Sequence, residues 1–410
     1  MSKRADIIVA GAGPVGLVAA LAAAQAGFSV RLCGPKAGTT DRRTTALMQP
    51  AIDALSSLGV LDKILPQAAP LRVMRIIDGT KRLIRSPIVT FHASEVGAEY
   101  FGLNIPNSVL VAALDEQIAS RPEITRLETS IVEWTIDDDA VQAALSDGQA
   151  IFARLVIAAD GRLSMARDAA GIDSSTTRYP QAALVASFTH SREHGFVSNE
   201  FHTETGPFTQ VPLPGKRSSL VWVVEPERAD ELASLDTAEL SRLIENQMGS
   251  MLGSVTAEPG CQIYPLSATL PTSFAKNRVA LVGEAAHVFP PIGAQGLNLG
   301  IRDVQDLIET ISESSSDVGS KETLRRYDAK RRPDVLARAG GVRLLNRSLL
   351  SNMLPMQIAR TGGLGLLGSI SPLRVFFMQE TLKPGTGLLG IRDALRKQIG
   401  RKDTAADRVE

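Results

Sequence analysis

The chain has 410 residues and carries 44 Lys and Arg against 44 Asp and Glu, so its formal net charge is zero. This balance gives no general attraction to nucleic acid, and the length favours two lobes over one compact domain. The two cysteines, Cys33 and Cys261, are too few for a disulfide framework and fit a reducing cytoplasm. Because glycines interrupt the first apolar run early, we expect a strand there rather than a secretory signal. No uncharged stretch is both long enough and free enough of Gly and Pro to span a bilayer.

The N-terminal segment predicts a nucleotide-binding unit. Residues 6–10 form an apolar strand, the loop Gly11-Ala-Gly13-Pro14-Val15-Gly16 follows at once, and a helix over 17–26 leads to a strand over 28–33. In such a βαβ unit the first two glycines let the backbone turn and approach a pyrophosphate, while the third lets helix and strand pack closely. Since the helix N-terminus faces the anion, the pattern predicts dinucleotide binding.

The end of the second predicted strand departs from this pattern. An acidic residue usually holds the ribose hydroxyls about 20 residues further along the chain, but Gly34 stands at this position, next to Cys33. We therefore expect backbone groups or Arg42 to hold the adenosine end of the cofactor.

Three further segments place polar residues beside predicted helices. They read DRRTTAL over 41–47, NIPNSVL over 104–110 and ADGRLSMAR over 159–167. Taken alone, each has an ordinary structural explanation: Arg43 can be an arginine at a helix start, and an Asp-Gly pair is a common turn.

The segment over 278–306 is the clearest candidate for chemistry. A short apolar strand over 279–282 breaks at Gly283, and a loop rich in Pro and Gly follows before a helix that starts near Asn298. The backbone N–H groups of Leu297 and Asn298 then lie at a helix N-terminus, whose dipole favours negative charge. A ring that becomes anionic on reduction would suit this position.

These segments resemble known motifs. GEAAHVFPPIGAQGLN, over 283–298, resembles the second flavin motif of the single-component FAD-dependent aromatic monooxygenases that include p-hydroxybenzoate hydroxylase. DRRTTAL resembles the DxRxxAL segment of the ubiquinone-biosynthesis hydroxylases, a branch of that group, and ADGRLSMAR resembles the ADGxxSxxR segment of the family. The motifs occur in the family's order from Gly11 to Asn298, about three quarters of the chain.

The resemblance implies cofactor contacts for single residues. Arg43 would contact the flavin pyrophosphate, and Asn107 would reach the flavin, although Ser108 stands where relatives often have arginine. Glu284 replaces the usual aspartate at the ribitol and moves its carboxylate by one methylene. The candidate cofactor-binding residues are Gly11, Gly13, Pro14, Val15, Gly16, Arg42, Arg43, Asn107, Asp160, Gly161, Gly283, Glu284, Pro291, Gly293, Ala294, Gln295, Gly296, Leu297 and Asn298.

The candidate catalytic residues lie at the second motif. The resemblance implies that the carbonyl of Pro291 faces the reacting centre, and that the N–H groups of Leu297 and Asn298 stabilise the reduced, anionic flavin. His287, inside the motif, is assigned a positioning role before a catalytic one. No metal site is expected, because none of the other histidines has a partner at metal-ligand spacing.

We predict an α/β fold, α+β overall: a Rossmann-like FAD-binding lobe interwoven with a mostly antiparallel β-sheet substrate lobe and C-terminal helices. Residues 1–70, 101–177 and 272–335 would form the FAD lobe. Residues 71–100 and 178–271, where strands alternate with turns, would form the substrate lobe. Residues 336–400 would be a C-terminal helical region, and residues 401–410 a disordered tail.

The C-terminal region has two interpretations. Residues 321–347 hold nine Lys or Arg against three acidic residues, and the apolar stretch 348–379 follows. Such a pair can lie on an anionic membrane surface, which predicts a cytoplasmic protein that is peripheral on the inner face of the cytoplasmic membrane. The same residues can equally form helices packed over the flavin lobe.

The resemblance implies an FAD-dependent hydroxylase in ubiquinone biosynthesis. NAD(P)H would reduce FAD, and O2 would then form a flavin hydroperoxide that hydroxylates the ring of a polyprenylated phenol. A quinone-synthesis protein complex is the expected protein partner. Two alternatives stay open: a flavin monooxygenase for a small soluble phenol, and a flavin-binding subunit of such a complex without catalysis of its own.

Overall fold

The structure is a computed structural model that describes residues 4–36, 38, 41–80, 85–291, 295–314 and 317–350, and gives the backbone alone at residues 295 and 341–350. The strands, numbered in chain order, are β1 Ala5–Ala10, β2 Val30–Cys33, β3 Thr44–Met48, β4 Ala69–Leu71, β5 Val73–Asp78, β6 Val89–His92, β7 Gly102–Pro106, β8 Ile124–Leu127, β9 Ile131–Ile136, β10 Val141–Leu145, β11 Ala150–Ala158, β12 Ser174–His190, β13 Val197–His202, β14 Pro207–Leu213, β15 Arg217–Val224, β16 Val255–Ala257, β17 Gln262–Pro271, β18 Ala275–Lys276 and β19 Val279–Leu281.

The α-helices are numbered in the same way, and short 3-10 turns lie between them. They are α1 Pro14–Gln25, α2 Gln49–Ser57, α3 Leu61–Ile64, α4 Asn107–Ala119, α5 Met165–Ala169, α6 Pro226–Ser234, α7 Thr237–Gln247, α8 Gln295–Ser312 and α9 Lys321–Leu350. Among the described residues, no helix combines the length and the apolar character that crossing a bilayer requires.

The first sheet is the Rossmann-like part of the fold. Its strands run in the order β18-β19-β11-β1-β2-β8, and β10 and β9 extend it from β11. β1 pairs in parallel with both β11 and β2, β2 with β8, and β11 with β19. α1 contacts α4 and α8 beside this sheet. Because the central strands are covered on both faces, β1 and β11 are almost continuously apolar.

The predicted βαβ unit is present, with shifted boundaries. α1 begins at Pro14 rather than residue 17, since proline fits the first helical turn, where its missing N–H has no partner to lose. β2 begins at Val30 rather than residue 28, because the Phe28 N–H still bonds to Ala23 O at the end of α1. α8 begins at Gln295, three residues before the predicted start.

The second sheet is largely antiparallel. Its strands run in the order β16-β12-β15-β14-β13-β5-β6, and β17 pairs with β12. One face carries an apolar core that it shares with α6 and α7, including Leu184, Phe208 and Trp222. The predicted fold class is therefore confirmed, whereas the exact lobe boundaries stay a prediction.

A third, three-stranded sheet joins the two larger ones. β3 and β4 both pair antiparallel with β7, and β7 leads directly into α4 of the first lobe. β7 and β4 also contact β14 of the second sheet. This small sheet therefore brings polar residues of the segment over 41–47 between the two larger sheets.

Candidate functional site

The glycine-rich loop between β1 and α1 has the shape of a pyrophosphate cradle. Gly11 has φ +102, and a Cβ placed on it would lie 2.2 Å from Ala159 O. A Cβ on Gly16 would lie 1.9 Å from Gly11 O, whereas a Cβ on Gly13 would meet nothing within 4 Å. Gly11 and Gly16 thus allow close backbone packing. Gly13 borders open space at the N-terminus of α1, where an anion is favoured. This arrangement fits the diphosphate of FAD.

The backbone at Gly34 explains why no acidic residue stands at the adenosine end of the cradle. Gly34, directly after β2, has φ +147, and a Cβ placed there would lie 2.9 Å from the Ala12 nitrogen. A glutamate at this position would therefore strain the backbone and press on the cradle. Beside it, burial raises the pKa of the Cys33 thiol to about 12, so this side chain stays neutral. Arg126 lies on the neighbouring strand β8, and its three guanidinium nitrogens are buried without a hydrogen-bond partner among the described residues.

Arg42 lies against the substrate lobe. Its backbone N–H donates to Gln262 Oε1 at 3.1 Å, and its guanidinium lies 3.5 Å from the position that a Cβ on Gly260 would take. The hydrogen bond from Arg217 lowers the pKa of Glu258, and the charge of Arg42 adds to this effect. The contacts of Arg42 are thus with the start of β17 and with the loop before it, and its predicted contact with the adenosine end of the cofactor stays a prediction.

Arg43 and Asn107 meet at a shared carboxylate. Arg43 donates to Asp41 through Nε at 2.9 Å and through one terminal nitrogen at 2.8 Å, and its guanidinium lies 5.3 Å from the centre of the Tyr264 ring. Asn107 donates to the same carboxylate at 3.2 Å and accepts from Thr45 Oγ1 at 2.6 Å. Burial alone would raise the pKa of Asp41, but the hydrogen bonds from Arg43 hold it below its usual value. The structure thus brings these two predicted residues together around Asp41.

The Asp160-Gly161 segment touches the second flavin loop, which we define as residues 283–291. Arg167 donates to Ala285 O at 3.3 Å, and Arg162 pairs with Glu284 at 3.2 Å. Asp160 accepts from the Ala166 N–H with one oxygen, while the other oxygen is buried without a hydrogen-bond partner among the described residues. Burial raises the pKa of this carboxyl group. An orphaned buried oxygen beside the cradle fits a hydroxyl-rich cofactor.

The second flavin loop packs on the cradle. Gly283 has φ +61, and a Cβ on it would lie 3.0 Å from Val15 Cγ2. A Cβ on Gly300 of α8 would lie 2.7 Å from the same methyl group. Further along, Val288 pairs with Thr269 of β17 through two backbone hydrogen bonds of 3.0 Å. The second flavin loop is therefore held between the cradle and β17 of the second sheet.

Asn298 performs a task that the sequence did not reveal. Its Oδ1 accepts from the Met48 N–H and its Nδ2 donates to Ala46 O, each at 2.8 Å. Leu297 and Asn298 are the third and fourth residues of α8, in its first turn, so the N–H of Leu297 is among those that lack an intrahelical acceptor, whereas the N–H of Asn298 is the first that can bond within the helix. The side chain fixes this turn to β3, which leaves the predicted role to the backbone N–H groups.

The remaining predicted residues of the second motif lie at its end. Pro291 is exposed, and Gln295 and Gly296 open α8. Gly293 and Ala294 lie outside the described residues.

Beneath the loop is a buried charged cluster that sequence analysis missed. Asp303 of α8 accepts from the Gly283 N–H at 2.9 Å, from His287 Nε2 at 2.7 Å and from Arg331 Nε of α9 at 2.9 Å. Tyr327, also on α9, donates to Leu281 O at 2.7 Å, and burial raises the pKa of its hydroxyl. An Asp and an Arg on two predicted helices were visible in the sequence, but no local pattern indicates that they meet.

The cradle, the second loop at the N-terminus of α8 and the antiparallel sheet that pairs with it define the fold of the flavin-dependent aromatic monooxygenases. The solved structure of p-nitrophenol 4-monooxygenase PnpA from Pseudomonas putida has the same fold, with a TM-score of 0.75 and 20% identity over 95% of this chain and 99% of that chain.

Comparisons of sequence define the family more narrowly. A family model described as FAD binding domain matches residues 4–338. The ubiquinone hydroxylase UbiL of Rhodospirillum rubrum is 32% identical over 87% of this chain and 84% of its own. The 3-demethoxyubiquinol 3-hydroxylase of Escherichia coli is 30% identical over 87% of this chain and 93% of its own. The chain belongs to the FAD binding domain family and, within it, to the ubiquinone-biosynthesis hydroxylases. It is an FAD-dependent aromatic monooxygenase, which confirms the predicted enzyme class and cofactor.

Proposed function

We propose that this enzyme hydroxylates the aromatic ring of a polyprenylated phenol, an intermediate of ubiquinone biosynthesis, and consumes NAD(P)H and O2. The observation that carries the proposal is the similarity to two ubiquinone hydroxylases across 87% of the chain. It includes the substrate sheet as well as the FAD lobe, so it extends beyond a shared cofactor. The arrangement of the candidate site supports the same reaction.

In the proposed site, the cradle over residues 11–16 binds the diphosphate of FAD. Glu284 binds the ribitol, and Asp160 and Gly161 bind the cofactor beside it. Arg43, which is hydrogen-bonded to Asp41, contacts the diphosphate. The bound cofactor, once reduced, activates O2 and supplies an electrophilic oxygen to an electron-rich ring. The protein orients the ring, excludes water and offers the N–H groups of Leu297 and Asn298 to the negative charge of the reduced cofactor.

The substrate would lie on the face of the second sheet that α6 and α7 leave free. Along β15, Ser219, Val221 and Val223 share this face, because side chains alternate along a strand. Val223 belongs to a small apolar cluster with Ala183 and Leu266. Ser219 accepts from Thr44 Oγ1 at 2.8 Å, which joins the face to β3. A surface that is polar at one end and apolar at the other suits a phenol with a prenyl tail.

We further propose that the enzyme contacts the membrane, and a quinone-synthesis complex, through residues beyond 340. The choice of residues beyond 340 is supported by the basic residues in the first part of α9, most of which are paired with acidic side chains. Lys330 bonds to Glu309 at 2.7 Å, Arg332 bonds to Asp328 at 2.9 Å, and Arg331 is 1% exposed. These described positions therefore leave little unpaired positive charge for anionic lipids.

A reconstituted reaction tests the proposal. Purified, FAD-loaded enzyme receives NADH or NADPH and either a polyprenylphenol or 4-hydroxybenzoate, and the products are identified by mass spectrometry. We expect a gain of one oxygen atom by the prenylated ring, with nucleotide oxidation coupled to product. Coupled turnover of the soluble phenol alone would favour the small-phenol alternative, and tight FAD binding without turnover of either would contradict the proposal.

A further inference from the structure

The buried cluster under the second flavin loop centres on one fully satisfied carboxylate. Asp303 is 0% exposed, and its Oδ2 accepts from the Gly283 N–H and from His287 Nε2. Its Oδ1 accepts from Arg331 Nε at 2.9 Å, and it also forms an ion pair with a terminal nitrogen of Arg331 that lies 2.8 Å away. One oxygen thus faces the flavin loop, and the other faces α9.

Arg331 is itself held on several sides. Its second terminal nitrogen donates to Asp306 at 2.7 Å and to Asp334 at 3.1 Å. Burial alone would lower the pKa of this guanidinium, but the negative charge of Asp303 and its neighbours raises it, so it stays charged. A buried ion pair is weak evidence for stability but can fix one geometry, because each charge needs its partner in place. Asp303 therefore cannot shift without leaving a buried charge unpaired.

Close packing connects Asp303 to the proposed cofactor site. Gly300, one turn before Asp303 on α8, approaches Gly283 so closely that a Cβ on it would lie 3.1 Å from Gly283 Cα. Both glycines also meet Val15 of the cradle. His287 stacks on Phe289 at 5.6 Å, which carries the constraint further along the loop. The loop, the cradle and the first turns of α8 thus share one junction.

We infer that Asp303, held by Arg331, is a positioning residue: it sets the second flavin loop against the N-terminus of α8 and thereby makes the site bind reduced FAD in preference to oxidised FAD. This inference rests on the proposed placement of the flavin ring at that N-terminus. The carboxylate does not act by direct contact with substrate or cofactor. It acts through the backbone of Gly283 and the ring of His287.

The test uses Asp303→Asn. An amide can accept on one side only, so either Arg331 or the loop loses its acceptor while the side-chain volume is retained. Arg331→Met removes the anchor, and Arg331→Lys is the conservative variant that keeps its charge. Arg326→Gln is the matched control, because Arg326 pairs α9 with Glu313 just after α8 and has no contact with the loop. The full-length apoproteins are compared in thermal unfolding and in affinity for oxidised FAD, and the holoenzymes in midpoint potential.

We expect Asp303→Asn to weaken the binding of reduced FAD about tenfold relative to oxidised FAD, which lowers the potential of a two-electron couple by about 30 mV. Arg331→Met should follow it, Arg331→Lys should restore part of the shift, and Arg326→Gln should match the wild type. A lower unfolding temperature with an unchanged potential would reduce Asp303 to a structural role. A higher potential would mean that its negative charge acts directly, and either result overturns the inference.

The same measurements separate this inference from the proposed function. An active wild-type hydroxylase whose Asp303→Asn variant keeps the wild-type potential would contradict the inference alone. A wild-type protein that binds FAD but hydroxylates no phenol would contradict the proposed function, whatever the potentials of the variants.

Discussion

Asn298 and Met48 are joined by a hydrogen bond of 2.8 Å from the Met48 N–H to the amide oxygen, across 250 residues of sequence. Together with the bond to Ala46 O, the amide completes a strand-like pair of hydrogen bonds with β3. The first turn of α8 is thereby fixed against the small sheet that also carries Thr44. The placement of the proposed reduced-flavin site thus depends on a side chain as well as on a helix N-terminus.

Asn298→Ala should loosen this turn. Loss of two hydrogen bonds at about 1 kcal/mol each predicts a destabilisation of about 2 kcal/mol, together with slower reduction of the bound FAD. Thermal unfolding of the apoprotein and stopped-flow reduction by NAD(P)H measure the two effects. Wild-type reduction kinetics in a destabilised variant would show that the clamp serves folding alone.

Substitutions of two cradle glycines should distinguish effects on folding from effects on cofactor binding. In Gly13→Ala the added methyl meets no protein atom within 4 Å, and φ at this residue is −74°. We expect an apoprotein of wild-type stability with FAD affinity reduced at least tenfold, because the methyl would enter the space proposed for the diphosphate. FAD fluorescence titration and thermal unfolding measure both properties.

Gly16→Ala is the contrasting variant at the cradle. Its Cβ would lie 1.9 Å from Gly11 O, so both stability and FAD affinity should fall. Full FAD affinity in Gly13→Ala would place the diphosphate elsewhere.

Restoring an acidic residue at position 34 should not restore a ribose contact. Gly34→Glu forces φ +147 on a residue with a Cβ and presses it against the Ala12 nitrogen, so we expect a loss of about 1–3 kcal/mol of stability and weaker FAD binding. Gly27→Ala is the control, because it imposes φ +89 without any contact within 4 Å. Tighter FAD binding in Gly34→Glu, measured by titration of the apoprotein, would contradict the account of this departure.

Asp160 and Asp41 should respond to pH with opposite signs. Burial raises the pKa of Asp160, so the native apoprotein binds more protons than the unfolded chain between the usual and the raised value, and stability falls as pH rises through that window. Asp160→Asn should therefore stabilise the apoprotein at neutral pH, with the gain disappearing in acid, and should weaken FAD binding.

The pKa of Asp41 is lowered, and its contribution to stability is lost as pH falls through that lowered value. Asp41→Asn should destabilise the apoprotein at neutral pH and approach wild type in acid. Thermal unfolding of both variants between acid and neutral pH measures the two differences. Equal signs for the two variants would contradict the proposed charge states.

The strongest local signals of the sequence led to correct predictions. The glycine spacing of the cradle, the apolar strand before it and the segment over 283–298 each depend on neighbours in sequence, and they predicted the βαβ unit, the cofactor and the family. Contacts between distant residues had no such signal. Asp303 and Arg331 are 28 positions apart, and nothing in a single helix indicates which acidic residue of another helix an arginine will meet. The pairing of Val288 with Thr269 likewise depends on how two lobes close on each other.

The most direct test of the proposed function is a mass-spectrometric profile of quinone intermediates in cells that lack this protein. We predict a depleted ubiquinone pool with one accumulated polyprenylphenol that lacks a ring oxygen, and recovery when the wild-type gene, but not its Gly16→Ala variant, is returned. The mass of that intermediate would identify the missing step. An unchanged quinone pool would contradict a required role in ubiquinone biosynthesis.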